Sequence, residues 1–279
     1  MRFTAVLGDS KSVEIFSKVL GIASKICRKR IVVRITPNEF SFVNVYSIRE
    51  GICLDFRLLK DQLFCSWVFE GISVENNAIF FELSTDDLIG SIQSRENQAK
   101  FKLVKKDNIP HLRIELSANG LVNEIPINFI LVRNWNDYNP PNMGTPSVAV
   151  TLPPVKNLSK ILSAVKNIGA KNAAFRVNNS GEFSVCAITD MAKVDIYAGD
   201  LTNLSLTGSS TTTPATPRRS IDEFSSAILD IRALYPFVSS LSPYIARLGI
   251  KIVNGKGAIF SATELECHLT LYIAGQQQD

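Results

Sequence analysis

Hydrophobic and polar positions alternate over MRFTAV at the start of the chain, switch to helical spacing from Asp9 to Cys27, and return to alternation in IVVRITPNEFSFVNV, which predicts two strands around a Pro37-Asn38 turn. The same programme restarts with SVAVTL at 147–152. A helical stretch from Pro154 to Ile168 follows, and NAAFRVNNSGEFSVCA predicts a hairpin turning at Asn178 to Gly181. A lag of about 140 residues is what internal duplication produces. Later parts of the two halves agree: AIFFELSTDDLIGSI and SSAILDIRALYPFV each read as strand, cap and helix, with Asp230 capping the second. KFKLVKKDNIPHLRIEL and GIKIVNGKGAIFSA both read as hairpins, the latter around Asn254-Gly255, a pair that favours a type I′ turn. EIPINFIL and ECHLTLYI close the units as final strands. The prediction is an α+β chain of two tandem units, 1–132 and 147–279. An Asn- and Pro-rich linker at 133–146 joins them, and a Ser/Thr/Pro-rich loop, expected to be mobile, occupies 201–220.

Placement of charge says more than the net charge of +4. On the first helix Val13, Ile15, Phe16, Val19, Leu20, Ala23, Ile26 and Cys27 form an apolar arc, and Lys11, Lys18, Lys25 and Lys29 gather on the far side with Glu14 at the edge. The helix starting near 154 repeats the arrangement, with Val155, Leu158, Ile161, Leu162, Val165 and Ile168 inward and Lys156, Lys160 and Lys171 on one polar arc. A lysine face can be simply solvated. Like charges one and two turns apart repel, however, and a stripe built for stability would alternate signs. Two acid-poor stripes at corresponding places fit a partner with a regular lattice of negative charge, as nucleic-acid phosphates provide. Neither stripe carries aromatics for base stacking or an Arg/Asn/Gln set for reading base edges, which leaves phosphate contact without sequence preference.

Other chemistry is poorly supported. The five cysteines are scattered with no C-x-x-C pair, as expected of free thiols in a reducing compartment, and neither a metal nor a cofactor is indicated. No secretory signal or run of about 18 apolar residues is evident, so a soluble intracellular chain without a membrane partner is expected. His111 and His268 each fall on a strand and read as structural. Ser84 to Asp87 reads as a helix cap rather than a carboxylate pair for catalysis. Gly249 to Lys256 is a near miss for a phosphate loop, with one residue too many and Gly257 where Ser or Thr would bind magnesium. Thr213-Pro and Thr216-Pro-Arg-Arg match short proline-directed phosphorylation patterns.

Beyond this residue-level reading, MRF, VRITPNEFSF at 33–42, FEGISVENNAIFFELSTDDL at 69–88, IPINFILVRNW at 125–135 and LDIRALYPFVSSL at 229–241 resemble the Hus-one family of checkpoint-clamp subunits, within the sliding-clamp (PCNA-like) superfamily. The likeness runs along both units, and Glu70 to Leu83 is its most specific stretch. The resemblance implies a ring of three related subunits with helices lining the hole and antiparallel sheets outside. It further implies Rad-nine-like and Rad-one-like partners, duplex DNA within the ring, an ATP-driven loader, recruited repair enzymes, a nuclear location and no enzymatic activity. It places subunit contacts on two edge strands: Leu121 to Leu131, with Glu124, Ile125, Ile127 and Phe129, and Ala192 to Gly199, with Val194, Ile196 and Tyr197. In the linker, Trp135 and Tyr138 either form part of a partner-docking groove or pin the linker to the sheet. Pro236 within the last helix and the 201–220 loop depart from the pattern. A homotrimeric replication clamp is the alternative, and a nuclease lacks a convergent set of carboxylates or histidines.

Overall fold

The computed structural model describes residues 1–27, 29–47, 51–92, 97–117, 120–204, 222–264 and 266–276. Strand β1 (Arg2–Leu7) buries every second residue, Phe3, Ala5 and Leu7. Helix α1 (Ser10–Ile26) then starts where Asp9 accepts the Ser12 N–H (2.7 Å), a side-chain cap for an otherwise unpaired donor. Its apolar face is as expected except that Ile22 is buried while Ile26 is only half-buried. Phe16, fully buried, meets Phe40, Phe42 and Phe101 at centroid distances of 5.5, 5.5 and 5.0 Å, and these rings form the heart of the first core.

Strands β2 (Arg30–Ile35) and β3 (Glu39–Ser47) turn where Thr36 N–H donates to Glu39 O (3.0 Å). They are followed by β4 (Ile52–Leu59), a short α2 (Lys60–Leu63), β5 (Phe64–Glu70), β6 (Ile79–Ser84), α3 (Thr85–Gly90), β7 (Ala99–Lys106), β8 (Ile109–Leu116), β9 (Val122–Pro126) and β10 (Asn128–Phe129). A 3-10 helix spans Val132–Tyr138. One sheet runs β5-β1-β7-β8-β9 and a second run of neighbours is β10-β6-β2-β3-β4. The second half supplies β11 (Val148–Thr151), α4 (Val155–Asn167), β12 (Asn172–Val177), β13 (Phe183–Ile188), β14 (Lys193–Ala198), β15 (Ser225–Asp230), α5 (Ile231–Leu241), β16 (Gly249–Val253), β17 (Gly257–Ala262) and β18 (Cys267–Ala274). Its neighbours run β14-β13-β12-β15 and β11-β16-β17-β18. The chain divides into two units, mainly Met1–Ser47 with Cys53–Pro140 and Pro141–Ala262 with Thr270–Asp279, and Thr263–Leu269 belongs to the first.

The two halves repeat one another bond for bond in places. Arg30 stands opposite Ser84, the cap of α3, and Asn172 opposite Asp230, the cap of α5. Just before these pairs, Lys29 O accepts Thr85 N–H (3.0 Å) and Lys171 O accepts Ile231 N–H (2.9 Å). The exit of each long helix is thus tied to the entry of each short one by the same bond.

Several expectations are corrected. Lys29 and Lys171 follow their helices rather than lying on them. The predicted strand from Leu121 to Leu131 breaks at Ile127, after Pro126, so that β10 pairs with β6 in the other run of strands. Asn254-Gly255 is no type I′ turn: Val253 pairs with Gly257, giving a three-residue loop in which only Gly255 has positive φ (+70°). The two-residue turn with both φ positive lies at Asp107 (48°) and Asn108 (65°), between Lys106 and Ile109. Residues Thr202 to Leu204, assigned to the loop, bond to β11 through Thr151 N–H to Thr202 O (2.8 Å) and Leu204 N–H to Ala149 O (2.9 Å), the place β5 takes beside β1. Pro236 does sit inside α5, where it cannot donate to Arg232 O.

Candidate nucleic-acid and subunit interfaces

The lysines of the first stripe differ in their surroundings. Lys11 is exposed and paired with Glu266, whose carboxylate raises the lysine above its usual range. Lys18 is half-buried and pairs with Glu14 one turn earlier (2.6 Å). Lys25 and Lys29 are exposed, as are Lys156, Lys160 and Lys171, and none of these five has an ion pair among the described residues. Lys166, on the same helix as Lys156 and Lys160, is placed 4.7 Å over the Tyr235 ring of α5.

Both expected edge strands lie at the edge of a sheet, β9 beside β8 and β14 beside β13. Hydrogen-bond phase decides which of their residues are open. Ile127 N–H donates to Pro110 O (3.0 Å) and Leu116 N–H to Leu121 O (2.9 Å). With Leu112 opposite Ile125 and Ile114 opposite Asn123, that phase turns the backbone of Val122, Glu124 and Pro126 to the open side. On β14, Thr189 N–H donates to Ala192 O (2.8 Å), and Val194 and Ile196 stand opposite Ala187 and Val185. Lys193, Asp195 and Tyr197 therefore face outward. Of the residues expected at the interface, Glu124 and Tyr197 present open backbone, whereas Ile125, Ile127, Val194 and Ile196 turn theirs inward. Phe129 is on β10, edge-on to Phe81 (6.4 Å). The Glu124 carboxylate is held by Lys106 (2.9 Å), which lowers its pKa, and the Tyr197 hydroxyl is raised by its hydrogen bond with Glu182.

In the linker, Trp135 stacks on Phe80 (4.7 Å, 26°) and donates its Nε1–H to Ile130 O (3.0 Å), and Tyr138 lies 6.2 Å from the same ring. These contacts pin the 3-10 helix to β6. Phe129, Leu131 and Val132 beside it stay exposed. Thr213 and Thr216 lie outside the described residues. His111 bonds the Ile109 carbonyl (3.0 Å), Ser84 caps α3 through Asp87 N–H (3.3 Å), and Gly249 to Lys256 is strand and turn. Among the described residues no group of three or more His, Cys, Asp or Glu could hold a metal ion. The sequence reading missed an ionic cluster on β2, β3 and β4, half-buried around a buried Asp55: Arg34 Nη2 reaches Glu39 (3.1 Å) and Asp55 (3.0 Å), and Arg57 lies 3.4 Å from Asp55. The pattern could have found it, because Arg34 stands between Val33 and Ile35 and Asp55 between Leu54 and Phe56, all four apolar and buried.

Two duplicated units of this topology have the sliding-clamp fold: the chain matches the solved proliferating cellular nuclear antigen of Entamoeba histolytica with a TM-score of 0.72, over 99% of this chain and 100% of that one, at 12% identity. The Hus1-like protein family model matches residues 1–276, and the chain belongs to that family. It is 25% identical to the human checkpoint protein HUS1 over 98% of this chain and 99% of that protein. It is 26% identical to the checkpoint protein hus1 homolog of Dictyostelium discoideum over 55% of this chain and 59% of that one.

Proposed function

We propose that this chain is one subunit of a heterotrimeric, ring-shaped clamp of the DNA damage checkpoint, closed by Rad-nine-like and Rad-one-like partners and placed on DNA in the nucleus by an ATP-driven loader. It acts as a scaffold for repair enzymes rather than as a catalyst. The observation that carries the reading is the pairing of family membership with open edges: a Hus1-family chain whose two units each present a sheet-edge strand with outward-facing backbone groups, β9 and β14. Such edges pair readily with another strand. Exposed lysines at Lys25, Lys29, Lys156, Lys160 and Lys171 supply sequence-blind phosphate contacts, each weak, while threading through the ring supplies retention.

The edges also favour different partners over copies of the same chain. Antiparallel apposition of all open positions would set Val122 against Tyr197, Glu124 against Asp195 and Pro126 against Lys193. Like charges directly opposite are destabilising, and Pro126 has no N–H to give. The test is co-expression with candidate partners followed by equilibrium sedimentation. The chain alone is expected as a monomer, with a ring only when both partners are present; a stable homotrimer at micromolar concentration would overturn the heterotrimer in favour of a replication-type clamp.

A further inference from the structure

The cations of the first lysine stripe are not equally available to a polyanion, and the reason is a carboxylate that comes from far away in the sequence. Glu266 lies in the turn between β17 and β18, separated from Lys11 by 255 positions, and its Oε1 meets Lys11 Nζ at the surface of the first unit. The backbone of Glu266 is left-handed (φ 54°), a conformation that is easy for glycine and strained for a residue with a Cβ. Beside it, Cys267 Sγ reaches Glu264 O at 3.4 Å, bracing the turn. A glutamate held in a glycine-like conformation and offering its charge to a lysine of the stripe is an arrangement in which the side chain, not the turn, needs explaining.

We propose that Glu266 is an affinity-setting residue that holds Lys11 back from phosphate, so that the first unit grips DNA through Lys25 and Lys29 while Lys11 joins only when the pair opens. Glu14 does the same for Lys18 within the helix. No such counter-ion stands beside Lys156, Lys160 or Lys171 among the described residues, so the second unit holds phosphate more firmly than the first. A clamp that slides benefits from contacts that exchange easily, and an intramolecular carboxylate makes them so. The inference rests on the reading that the stripes face duplex DNA.

Counter-ion release gives a direct readout, because each lysine newly committed to phosphate steepens the dependence of log affinity on log salt by about 0.9. Binding of the full chain to a short DNA duplex is measured by fluorescence anisotropy from low to moderate salt. Glu266→Gln is expected to steepen the slope by about one lysine and to tighten binding by about fivefold at most, the scale of one exposed ion pair. Lys11→Ala should change little in the wild-type chain and should cancel the gain in the Glu266→Gln background. Lys25→Ala and Lys156→Ala serve as references and should each flatten the slope. If the references respond but Glu266→Gln leaves affinity and slope unchanged, the brake is wrong and the DNA reading stands. If the references do not respond either, the DNA-facing reading falls and the inference falls with it. Glu266→Gln keeps the Cβ and the turn, so its circular dichroism and melting temperature should match wild type, and a lower melting temperature would mark a structural role instead.

Discussion

Proline at Glu124 separates the two roles of β9, as an inner member of its own sheet and as an open edge. Because Glu124 N–H points away from β8, proline there deletes no ladder bond of the monomer, and edge strands are where proline is tolerated. Across a subunit interface it removes one donor and puts a ring where the partner's carbonyl approaches. One such bond is worth about 0.5–1.5 kcal/mol net, and with the steric term the loss is about 1–3 kcal/mol, or about 5- to 150-fold weaker assembly. Glu124→Gln is the control, since it drops the ion pair with Lys106 yet keeps the N–H. Ile127→Pro is the contrast: it removes the donor to Pro110 O together with a buried side chain and should cost the monomer about 3 kcal/mol or more. Melting of the isolated chain and sedimentation of the co-expressed complex give the two readouts. Glu124→Pro should melt within a few degrees of wild type and assemble more weakly by that factor, and Asp195→Pro should do the same on β14 with Asp195→Asn as its control. A ring that assembles normally with both prolines, or a Glu124→Pro chain that melts as early as Ile127→Pro, refutes the assigned phase or the interface.

Phe16→Ala empties the centre of the first aromatic core and should destabilise the chain by about 3–5 kcal/mol in urea titration; a loss under 1 kcal/mol would mean the rings repack freely. Trp135→Ala loses the stack on Phe80 and the donor to Ile130 O, for about 2–3 kcal/mol, and an unchanged melting curve would remove its role as the pin of the 3-10 helix. Burial pushes the thiols of Cys27, Cys53 and Cys267 up to about 12, whereas Cys65 is exposed. Native alkylation at neutral pH read by peptide mass should therefore label Cys65 well before those three, and equal labelling would contradict their burial.

Features that depend on near neighbours were legible in the sequence. Asp9 before a 3.6-residue period marks the start of α1, Asp230 that of α5, and the repeated order of strands and helices announces the duplication. Harder to read were features that turn on one residue of phase. The pattern in EIPINFIL runs on without a break, and only Pro126 hints that the chain leaves one sheet for another at Ile127. Which edge residues are open is a matter of hydrogen-bond parity, invisible to hydrophobicity because the alternation looks the same for either parity. At 201–204 three paired residues are too short to outweigh the polar tract beside them. The Lys11–Glu266 pair joins opposite ends of the chain, so the stripe read evenly from sequence is uneven in the fold.

The ionic cluster in the first unit leads to a prediction about pH. Asp55 is almost wholly buried, and burial drives its carboxyl above the ordinary 3.8 against the opposing pull of Arg34 and Arg57. A carboxyl raised in the folded state contributes stability that is complete below 3.8 and lost as pH rises through the folded value. Arg34→Met removes the nearer cation while keeping an apolar stem, so the Asp55 carboxyl should rise further and the window of lost stability should extend toward neutrality. Removing one partner of a buried pair costs about 3–5 kcal/mol, so that loss is expected near neutral pH and should shrink under mildly acidic conditions as Asp55 takes up a proton. Asp55→Asn in the Arg34→Met background removes the stranded charge and should recover much of the loss, with a flatter pH profile. Urea unfolding of the single and double variants on either side of the shifted titration is the measurement. If Arg34→Met is equally destabilised at both pH values, or if Asp55→Asn recovers nothing, the cluster is not governed by the burial of Asp55 and this account of it fails.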